Sequence, residues 1–247
     1  MIEIKNLKKK YGGTVALDGI DLNIGQGEII GLFGENGAGK TTLIKSILNL
    51  IPFSGEILLD GKPVSRNNIT RLSFATVEHS FFPKVDASTH MEFYRDQFDR
   101  FNIKRFNGLM EFFSLPYNKP IGSLSTGQQN QFEVILALSQ GADYILMDEP
   151  FSGSDMLNRE DFYKVMTGIL EDNETVLLST HLIEEVSDVI NRAVLIRKGR
   201  IIGDVMCDDL EEAGKTVVDY VKENYGYQPD RVSKALESIT GKDEDNA

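Results

Sequence analysis

The segment from Gly34 to Thr41 reads GENGAGKT and has the residue types and spacing of a phosphate-binding loop. Glycines let successive backbone amides turn towards phosphate oxygens, a lysine adds a point charge at the outer phosphates, and a threonine hydroxyl completes a magnesium shell. An apolar run ending at Phe33 precedes the segment, and helical spacing follows it. A nucleoside triphosphate with Mg²⁺ is the predicted ligand; the alternative is a glycine-rich turn without one. The predicted nucleotide-binding residues are Gly34, Asn36, Gly37, Ala38, Gly39, Lys40, Thr41 and Thr42.

Two carboxylates form a second element that could take part in catalysis or metal binding. The apolar run from Tyr144 to Met147 ends in Asp148 and Glu149. Ligands of doubly wound sheets bind at strand ends, so Asp148 is predicted to hold magnesium with Thr41, directly or through water, while Glu149 reaches an attacking water. A solvated turn after a buried strand is the alternative.

A third element lies between the first two, where Leu124 to Gln128 reads LSTGQ and leads into an apolar helical face. A serine hydroxyl and glycine amides at the start of a helix make an anion site, which the helix dipole strengthens. The residues predicted to form it are Ser125, Thr126, Gly127 and Gln128.

The elements that must position these residues indicate an α/β fold. Alternating apolar residues before the phosphate loop predict a sheet-rich, antiparallel start, and Asp60-Gly61 suits a tight hairpin turn. Strand patterns at 144–147, 175–179 and 193–196 alternate with helical patterns through 162–170 and 182–189. Such alternation favours a mostly parallel sheet with helices on its faces, a phosphate-loop NTPase core.

Residues 86–141 differ, because apolar and aromatic residues recur there at helical spacing. We predict an inserted helical subdomain whose apolar stripe serves as core or partner surface rather than as a ligand box. The predicted division is a cassette over 1–209 and a helical extension with an acidic tail over 210–247.

Composition restricts the partners. The chain of 247 residues has 26 basic and 38 acidic residues and a net charge of −12, which disfavours nucleic acid and anionic lipid surfaces. One cysteine, Cys207, excludes an intramolecular disulfide. With no secretory signal and no apolar run of membrane-spanning length, we expect a cytoplasmic protein without direct membrane insertion.

Together the motifs resemble the ATP-binding subunits of ABC transporters, in family order over roughly residues 1–205. GENGAGKT corresponds to Walker A, LSTGQ to the signature, and YILMDE to Walker B. The resemblance also implies a D-loop ending at Asp155 and a switch histidine, His181, that contacts the γ-phosphate and the catalytic glutamate. It implies adenine stacking by Tyr11, which is otherwise a strand-end tyrosine. His79 and His90 carry no predicted role.

The same resemblance implies a partner. In ABC proteins two cassettes pack head to tail, so that Walker A of one copy and the signature of the other enclose each ATP. Hydrolysis then loosens the pair and moves an attached membrane domain. We therefore expect a second cassette, identical or paralogous, and an integral membrane permease that tethers the chain to the inner face of the cell membrane.

Three positions depart from the usual family wording. Glu78 replaces the Q-loop glutamine and is predicted to contact magnesium or water and to sense the γ-phosphate with His181. Thr126 replaces a signature glycine, as in ABC-2 type exporter subunits. Phe151 and Ser154 alter the stretch after Walker B.

The function that follows from the resemblance is an ATPase that powers export through a separate membrane subunit. The trio Phe81-Phe82-Pro83 is either the docking point of that subunit or internal packing. The rival function is a regulatory ABC ATPase acting on ribosomes, DNA or an assembly pathway. One uninterrupted cassette and an acidic surface speak against this rival.

Overall fold

The computed structural model describes residues 1–150, 156–227 and residue 239. The predicted D-loop aspartate Asp155, the two departures at Phe151 and Ser154, and the predicted acidic tail lie outside the described residues.

Within the described residues, the start of the chain forms the predicted antiparallel sheet, with strand order β2-β1-β4-β5. Its strands are β1 (Ile2–Tyr11), β2 (Thr14–Ile24), β4 (Ser54–Leu59) and β5 (Lys62–Pro63). Asp60 and Gly61 both have positive φ, of 50° and 71°, in the turn that joins β4 to β5. The predicted tight hairpin at this point is confirmed.

The second sheet is mostly parallel and has the order β10-β9-β3-β8-β7-β6 in the described part of the chain. Its strands are β3 (Ile29–Phe33), β6 (Leu72–Thr76), β7 (Tyr144–Asp148), β8 (Thr175–Thr180), β9 (Arg192–Arg197) and β10 (Arg200–Met206). β10 alone pairs antiparallel, with β9. Every residue of β7 and β8 is buried, as expected for central strands covered on both faces.

Helices cover this sheet. They are α1 (Lys40–Ile47), α2 (Ala87–Gln97), α3 (Ile103–Phe112), α4 (Thr126–Ser139), α5 (Met156–Ile169), α6 (Ile183–Val186), α7 (Cys207–Glu212) and α8 (Val217–Tyr225). One apolar cluster joins a face of the parallel sheet to α1 and the antiparallel sheet. A second cluster packs the opposite face against α3, α4 and α5. Alternate residues of β7 belong to different clusters, Tyr144 to the first and Ile145 to the second. The strand therefore packs into the apolar layers on both faces of the sheet.

One helix is shorter than predicted. The pattern indicated a helix over 182–189, but α6 ends at Val186. The Ser187 hydroxyl donates to the Ile183 carbonyl at 2.7 Å, and the Val189 amide donates to the Val186 carbonyl at 3.1 Å. These short-range bonds tighten the chain into turns, because a serine side chain competes for helical carbonyls.

The range of the predicted helical insert, 86–141, contains α2, α3 and α4, and its aromatic stripe is divided. Phe106 and Phe132 are fully buried, whereas Phe93 and Phe112 are exposed. Cys207 packs against the second cluster, and burial raises the pKa of its thiol to about 11. Among the described residues, every helix is too short or too polar to cross a bilayer.

Candidate nucleotide-binding site

The phosphate loop connects the end of β3 to the start of α1. Gly39 precedes α1 with a φ of 115°, and a Cβ there would come within 2.7 Å of the Ala16 carbonyl oxygen. The Gly199 amide donates to the Ala38 carbonyl at 2.9 Å and so ties the loop to the β9–β10 turn. A side chain at Gly39 would therefore push the loop away from β2.

Lys40 is buried at the centre of this loop, with 6% of its surface exposed. Its Nζ donates to the Gly34 carbonyl at 2.6 Å and lies 3.5 Å from Oε1 of Glu149. A buried ammonium is costly unless paired. Here the loop carbonyl and the Walker B carboxylate supply that pairing.

The Glu149 carboxylate lies between two cationic or hydrogen-bonding groups. One oxygen faces Lys40, and the other lies 2.9 Å from Nδ1 of His181. Glu149 has a φ of 49°, a left-handed conformation that a non-glycine residue adopts at a cost of about 1 kcal/mol. Its amide, which donates to the Ser179 carbonyl at 3.1 Å, fixes this turn. The predicted catalytic pair, Glu149 and His181, is therefore in contact.

Asp148 occupies the last position of β7 and is 5% exposed. It accepts a hydrogen bond of 2.5 Å from the Ser179 hydroxyl on the neighbouring strand β8. β7 and β8 pair in parallel with Asp148 opposite Ser179, so their carboxyl ends bring these side chains together. The sequence motif identified Ser179 only as a neighbour of the histidine. It did not predict the hydrogen bonds of Ser179 with Asp148 and with the Glu149 amide.

A cavity of about 180 Å³ gathers the predicted phosphate-binding residues except Gly34 and Ala38. It is lined by Ala16, Glu35, Asn36, Gly37, Gly39, Lys40, Thr41, Thr42 and Glu149. Loop amides, one ammonium and a threonine hydroxyl suit an anion with many oxygens, such as a triphosphate. An adjoining cavity of about 220 Å³ is lined by Gly34, Glu35, Thr180 and His181, among others.

The donor set also fits a hard divalent cation. Thr41 offers a hydroxyl, and Asp148 and Glu149 offer carboxylate oxygens. Among the described residues, no three His, Cys, Asp or Glu side chains cluster as a metal cage. Mg²⁺ bound with a nucleotide usually takes one or two protein oxygens and completes its shell with phosphate and water. The residues present fit that mode.

Glu78 lies two residues beyond β6 and turns towards α1. Its two carboxylate oxygens accept hydrogen bonds of 2.8 and 2.7 Å from Nζ of Lys45. Lys45 is in the helix that begins at the phosphate loop, four residues after Thr41. The sequence analysis missed this lysine, because no local pattern relates a residue of α1 to one that follows β6.

The signature residues begin α4, outside the nucleotide cavity just described. Ser125 caps the helix by accepting from the Gln128 amide at 3.3 Å, and the Gln128 side chain accepts from the Ser125 amide at 3.1 Å. Ser125 and Thr126 are exposed, whereas Gly127 and Gln128 are half-buried. The predicted helix-start anion site stays a prediction, and the residues of this chain's own phosphate cavity do not include it.

Tyr11 ends β1 and is 48% exposed. Nζ of Lys9 lies 4.8 Å from the centre of its ring, and the ring is not among the residues lining the phosphate cavity. Adenine stacking by Tyr11 stays a prediction.

The trio after the Q-loop is divided between the two alternatives. Phe81 is 7% exposed, and its ring centre lies 5.9 Å from that of Phe132 in the core. Phe82 is 52% exposed. Internal packing therefore describes Phe81, whereas Phe82 and Pro83 are exposed.

Sequence comparison decides the family. The sequence model for the ABC transporter family matches residues 17–152, which is more than half of the chain. The chain belongs to the ABC transporter family. It is thus an ABC-type ATPase with a nucleotide-binding cassette, as the motifs predicted.

The curated relatives agree on the cassette and differ in the direction of transport that their names give. The chain is 29% identical to the ABC transporter ATP-binding protein YtrB of Bacillus subtilis, over 93% of this chain and 78% of YtrB. It is 30% identical to the Nod factor export ATP-binding protein I of Cupriavidus metallidurans, over 83% and 70%. It is also 30% identical to the ribose import ATP-binding protein RbsA 1 of Rubrobacter xylanophilus, over 84% of this chain but 44% of that protein.

Solved structures confirm the fold. A dimeric bacterial ABC transporter cassette, MJ0796, superposes with a TM-score of 0.73 at 24% identity, covering 83% of this chain and 98% of that one. The predicted mixed architecture, with an antiparallel sheet beside a mostly parallel one, is thereby confirmed.

Proposed function

We propose that this ATPase is the nucleotide-binding subunit of an exporter, and that it drives a separate membrane-spanning subunit through ATP-dependent head-to-tail dimerisation. The observation that carries the catalytic part is the position of the Glu149 carboxylate, between Lys40 and His181 and beside the phosphate loop. An acid held there can polarise a water at the outer phosphate, with a histidine able to follow the charge.

The remaining roles follow from the contacts. Lys40 and the loop amides bind the phosphates, while Thr41 and Asp148 hold Mg²⁺, which when bound neutralises charge on the outer phosphates. Ser179 positions both acids, because its hydroxyl bonds Asp148 and its carbonyl accepts the Glu149 amide. Glu78 is available to the γ-phosphate side once it leaves Lys45, and Tyr11 supplies the adenine-stacking ring.

Dimerisation is supported by the separation of the signature from the phosphate cavity. The helix start at Ser125 to Gln128 presents exposed anion-binding groups that this chain's Walker A does not use. A second cassette, placed head to tail, would bring its own nucleotide to them. The MJ0796 cassette, which has the same fold, is dimeric.

Export through a partner is supported by the name of the Nod factor export relative and by Thr126 in the signature. The exposed ring of Phe82, beside the Q-loop, is the proposed contact for the permease. The chain would then be cytoplasmic and peripheral on the inner face of the membrane, held there by the permease and without contact with nucleic acid.

Purification of the tagged chain from its native membranes tests this function. We expect an integral membrane protein to co-purify and to be lost when Phe82 is changed to Ser, with Phe112→Ser, another exposed ring, on α3, as a control. Recovery of ribosomal or assembly factors in place of a membrane protein would contradict the exporter proposal and favour a regulatory ATPase.

A further inference from the structure

Helix α8 follows β10 and α7 along the chain, and the motifs assign it no role, yet it packs beside the phosphate loop. Its residues Val217 and Val221 are buried in the second apolar cluster. A capping box at Thr216 begins the helix, and Gly226, with a φ of 68°, ends it directly after Tyr225. The last helical residue, Tyr225, is therefore held at a fixed place on the core.

The hydroxyl of Tyr225 bonds to the end of β9. It donates to the Ile196 carbonyl at 2.9 Å. The same carbonyl oxygen lies against Gly34, the first residue of the phosphate loop, where an added Cβ would come within 2.6 Å of it. One carbonyl of β9 therefore lies between the end of α8 and the start of the loop.

The Tyr225 side chain also faces the start of the loop directly. It lines the cavity of about 220 Å³ together with Gly34, Glu35 and His181. The guanidinium of Arg197 lies 5.3 Å from the centre of its ring. Burial raises the pKa of the Tyr225 hydroxyl, as does the Glu35 carboxylate, whereas a hydrogen bond with the Glu35 backbone opposes the rise. The hydroxyl therefore interacts with β9 and with the second residue of the loop.

The two halves of the phosphate loop are held differently. The second half is tied to the β9–β10 turn by the Gly199 amide, which donates to the Ala38 carbonyl at 2.9 Å. The first half is held by Lys40, whose Nζ donates to the Gly34 carbonyl at 2.6 Å. Lys40 is also the residue proposed to bind the phosphates, so this bond competes with the nucleotide. The Tyr225 contact does not compete, because it reaches the loop from α8.

We propose that Tyr225 is a positioning residue for ATP binding, which keeps Gly34 and Glu35 in place against the end of β9 when Lys40 turns to the phosphates. This inference rests on the proposed binding of ATP by the phosphate loop. An anchored loop presents its amides to the phosphates without first being ordered, so less of the binding free energy goes into ordering it. Helix α8 thus contributes to the affinity for ATP, although none of the motif residues lies on it.

Tyr225→Phe, made in the full-length chain, tests this role because it removes the hydroxyl and keeps the ring. The dissociation constant for ATP with Mg²⁺, measured by titration of the dilute chain, should rise about fivefold, the effect of one lost hydrogen bond. KM for ATP should rise by a similar factor while kcat stays within about twofold, since the hydroxyl does not touch the reacting groups. Loss of folded protein alone would lower kcat and leave KM unchanged.

Tyr220 supplies the matched control, because it is on the same helix and is also half-buried. Its hydroxyl lies against β10, where a Cβ added to Gly203 would come within 2.6 Å of it. Tyr220→Phe therefore removes a hydroxyl from α8 on the side of β10, and it should bind ATP like the parent.

Hydrogen exchange gives a second readout, on the loop itself and without nucleotide. Amides of a peptide that contains residues 34–39 should exchange faster in Tyr225→Phe than in the parent, because the start of the loop has lost its anchor. The same peptide should exchange at the parental rate in Tyr220→Phe. Thermal unfolding of both variants shows whether their stabilities match.

The outcomes separate this inference from the proposed function. If Lys40→Ala binds ATP as tightly as the parent, binding by the phosphate loop fails and this inference falls with it. If Lys40→Ala loses affinity but Tyr225→Phe matches the parent in affinity and exchange, only the role of Tyr225 is overturned. The same holds if Tyr220→Phe weakens ATP binding as much as Tyr225→Phe, because the effect would then come from a general loosening of α8.

Discussion

The carboxyl end of strand β7, at Asp148, and the start of helix α4, at Ser125, are both predicted to contact ATP, yet they are built differently. At the sheet edge, the acids end a wholly buried strand, and Ser179 on the next buried strand bonds both of them. At the helix start, Ser125 and Thr126 are exposed, and Ser125 has a reciprocal capping bond with Gln128 within its own turn.

This difference shows where each region obtains its order. The acids are preorganised by tertiary structure, which is what charge stabilisation during phosphoryl transfer requires. Ser125 and Gln128 of the signature are organised within their own turn by a helix cap worth about 1 kcal/mol. We infer that the first region can bind nucleotide within one chain, whereas the second becomes functional when a partner delivers its nucleotide. The variants below test this division, from the largest expected effect to the smallest.

Glu149→Gln should lower the rate of ATP hydrolysis about 1000-fold, because the amide keeps the shape of the carboxylate but cannot polarise water. ATP binding should remain within a few-fold, since Lys40 and the loop amides are intact. Steady-state hydrolysis and equilibrium binding measure the two effects. Undiminished hydrolysis would remove Glu149 from the catalytic role.

Lys40→Ala should weaken ATP binding about 100-fold, because truncating a buried, charge-paired group costs ~3 kcal/mol. Titration of the isolated chain with a fluorescent nucleotide measures this loss. Lys62→Ala, an exposed lysine outside the phosphate cavity, is the control, and it should bind ATP with nearly parental affinity. Tight binding by Lys40→Ala would contradict the phosphate-loop assignment.

Ser179→Ala should lower turnover about tenfold and raise the Mg²⁺ concentration needed for half-maximal activity, because Asp148 loses its hydrogen bond. A magnesium titration at saturating ATP measures both effects. Ser187→Ala, whose hydroxyl bonds the Ile183 carbonyl, is a comparison outside the site. An unchanged magnesium dependence would show that Ser179 does not position the metal ligand.

Thr126→Glu should lower turnover at least tenfold and leave monomer binding of ATP unchanged, because a carboxylate at the helix start repels the partner's phosphates. Glutamate is favourable in the first turn of a helix, so folding should be preserved. Thr126→Gln has nearly the same size without the charge and should be much more active. Equal activity of the two variants would argue against an anion site.

Glu133→Gln should change the free energy of unfolding by about 1 kcal/mol, the size typical of a point substitution, and the change should depend on pH. Burial raises the pKa of the Glu133 carboxyl above 4.5, opposed by its hydrogen bonds with Ser80 and by nearby His79. The folded chain then binds more protons than the unfolded chain, so wild-type stability falls as pH rises past that value. The advantage of the variant should therefore grow in thermal melts as the pH rises above 4.5, the ordinary pKa of a glutamate. A constant difference would contradict the raised pKa.

The sequence predicts where the phosphate loop and the two acids lie in the fold, because they follow strands with strong apolar patterns. Asp148 and Glu149 must lie at a sheet edge once 144–147 is recognised as a strand. The contacts that cross between elements were not predictable in this way. Ser179 meets Asp148 through strand order, and Lys45 meets Glu78 through the angle at which β6 and α1 approach, neither of which a local pattern contains.

The helix predicted over 182–189 shows the same limit on a smaller scale. Its apolar spacing is helical, but Ser187 bonds a carbonyl in the preceding turn and the chain leaves the helix at Val186. The hydrogen bond between His79 and Asn130 also had no sequence signal, because a lone histidine and a polar helix residue fit a solvated surface as easily as a buried contact.

Mixing two inactive chains tests the shared nucleotide site most directly. Lys40→Ala and Thr126→Glu are each expected to be nearly inactive alone. In a mixed head-to-tail dimer, one site carries both defects and the other carries neither. The account predicts that ATP hydrolysis returns on mixing, towards half the parental rate per dimer. No recovery, from chains shown by sedimentation to associate, would contradict it, because each phosphate loop would then depend on the signature of its own chain.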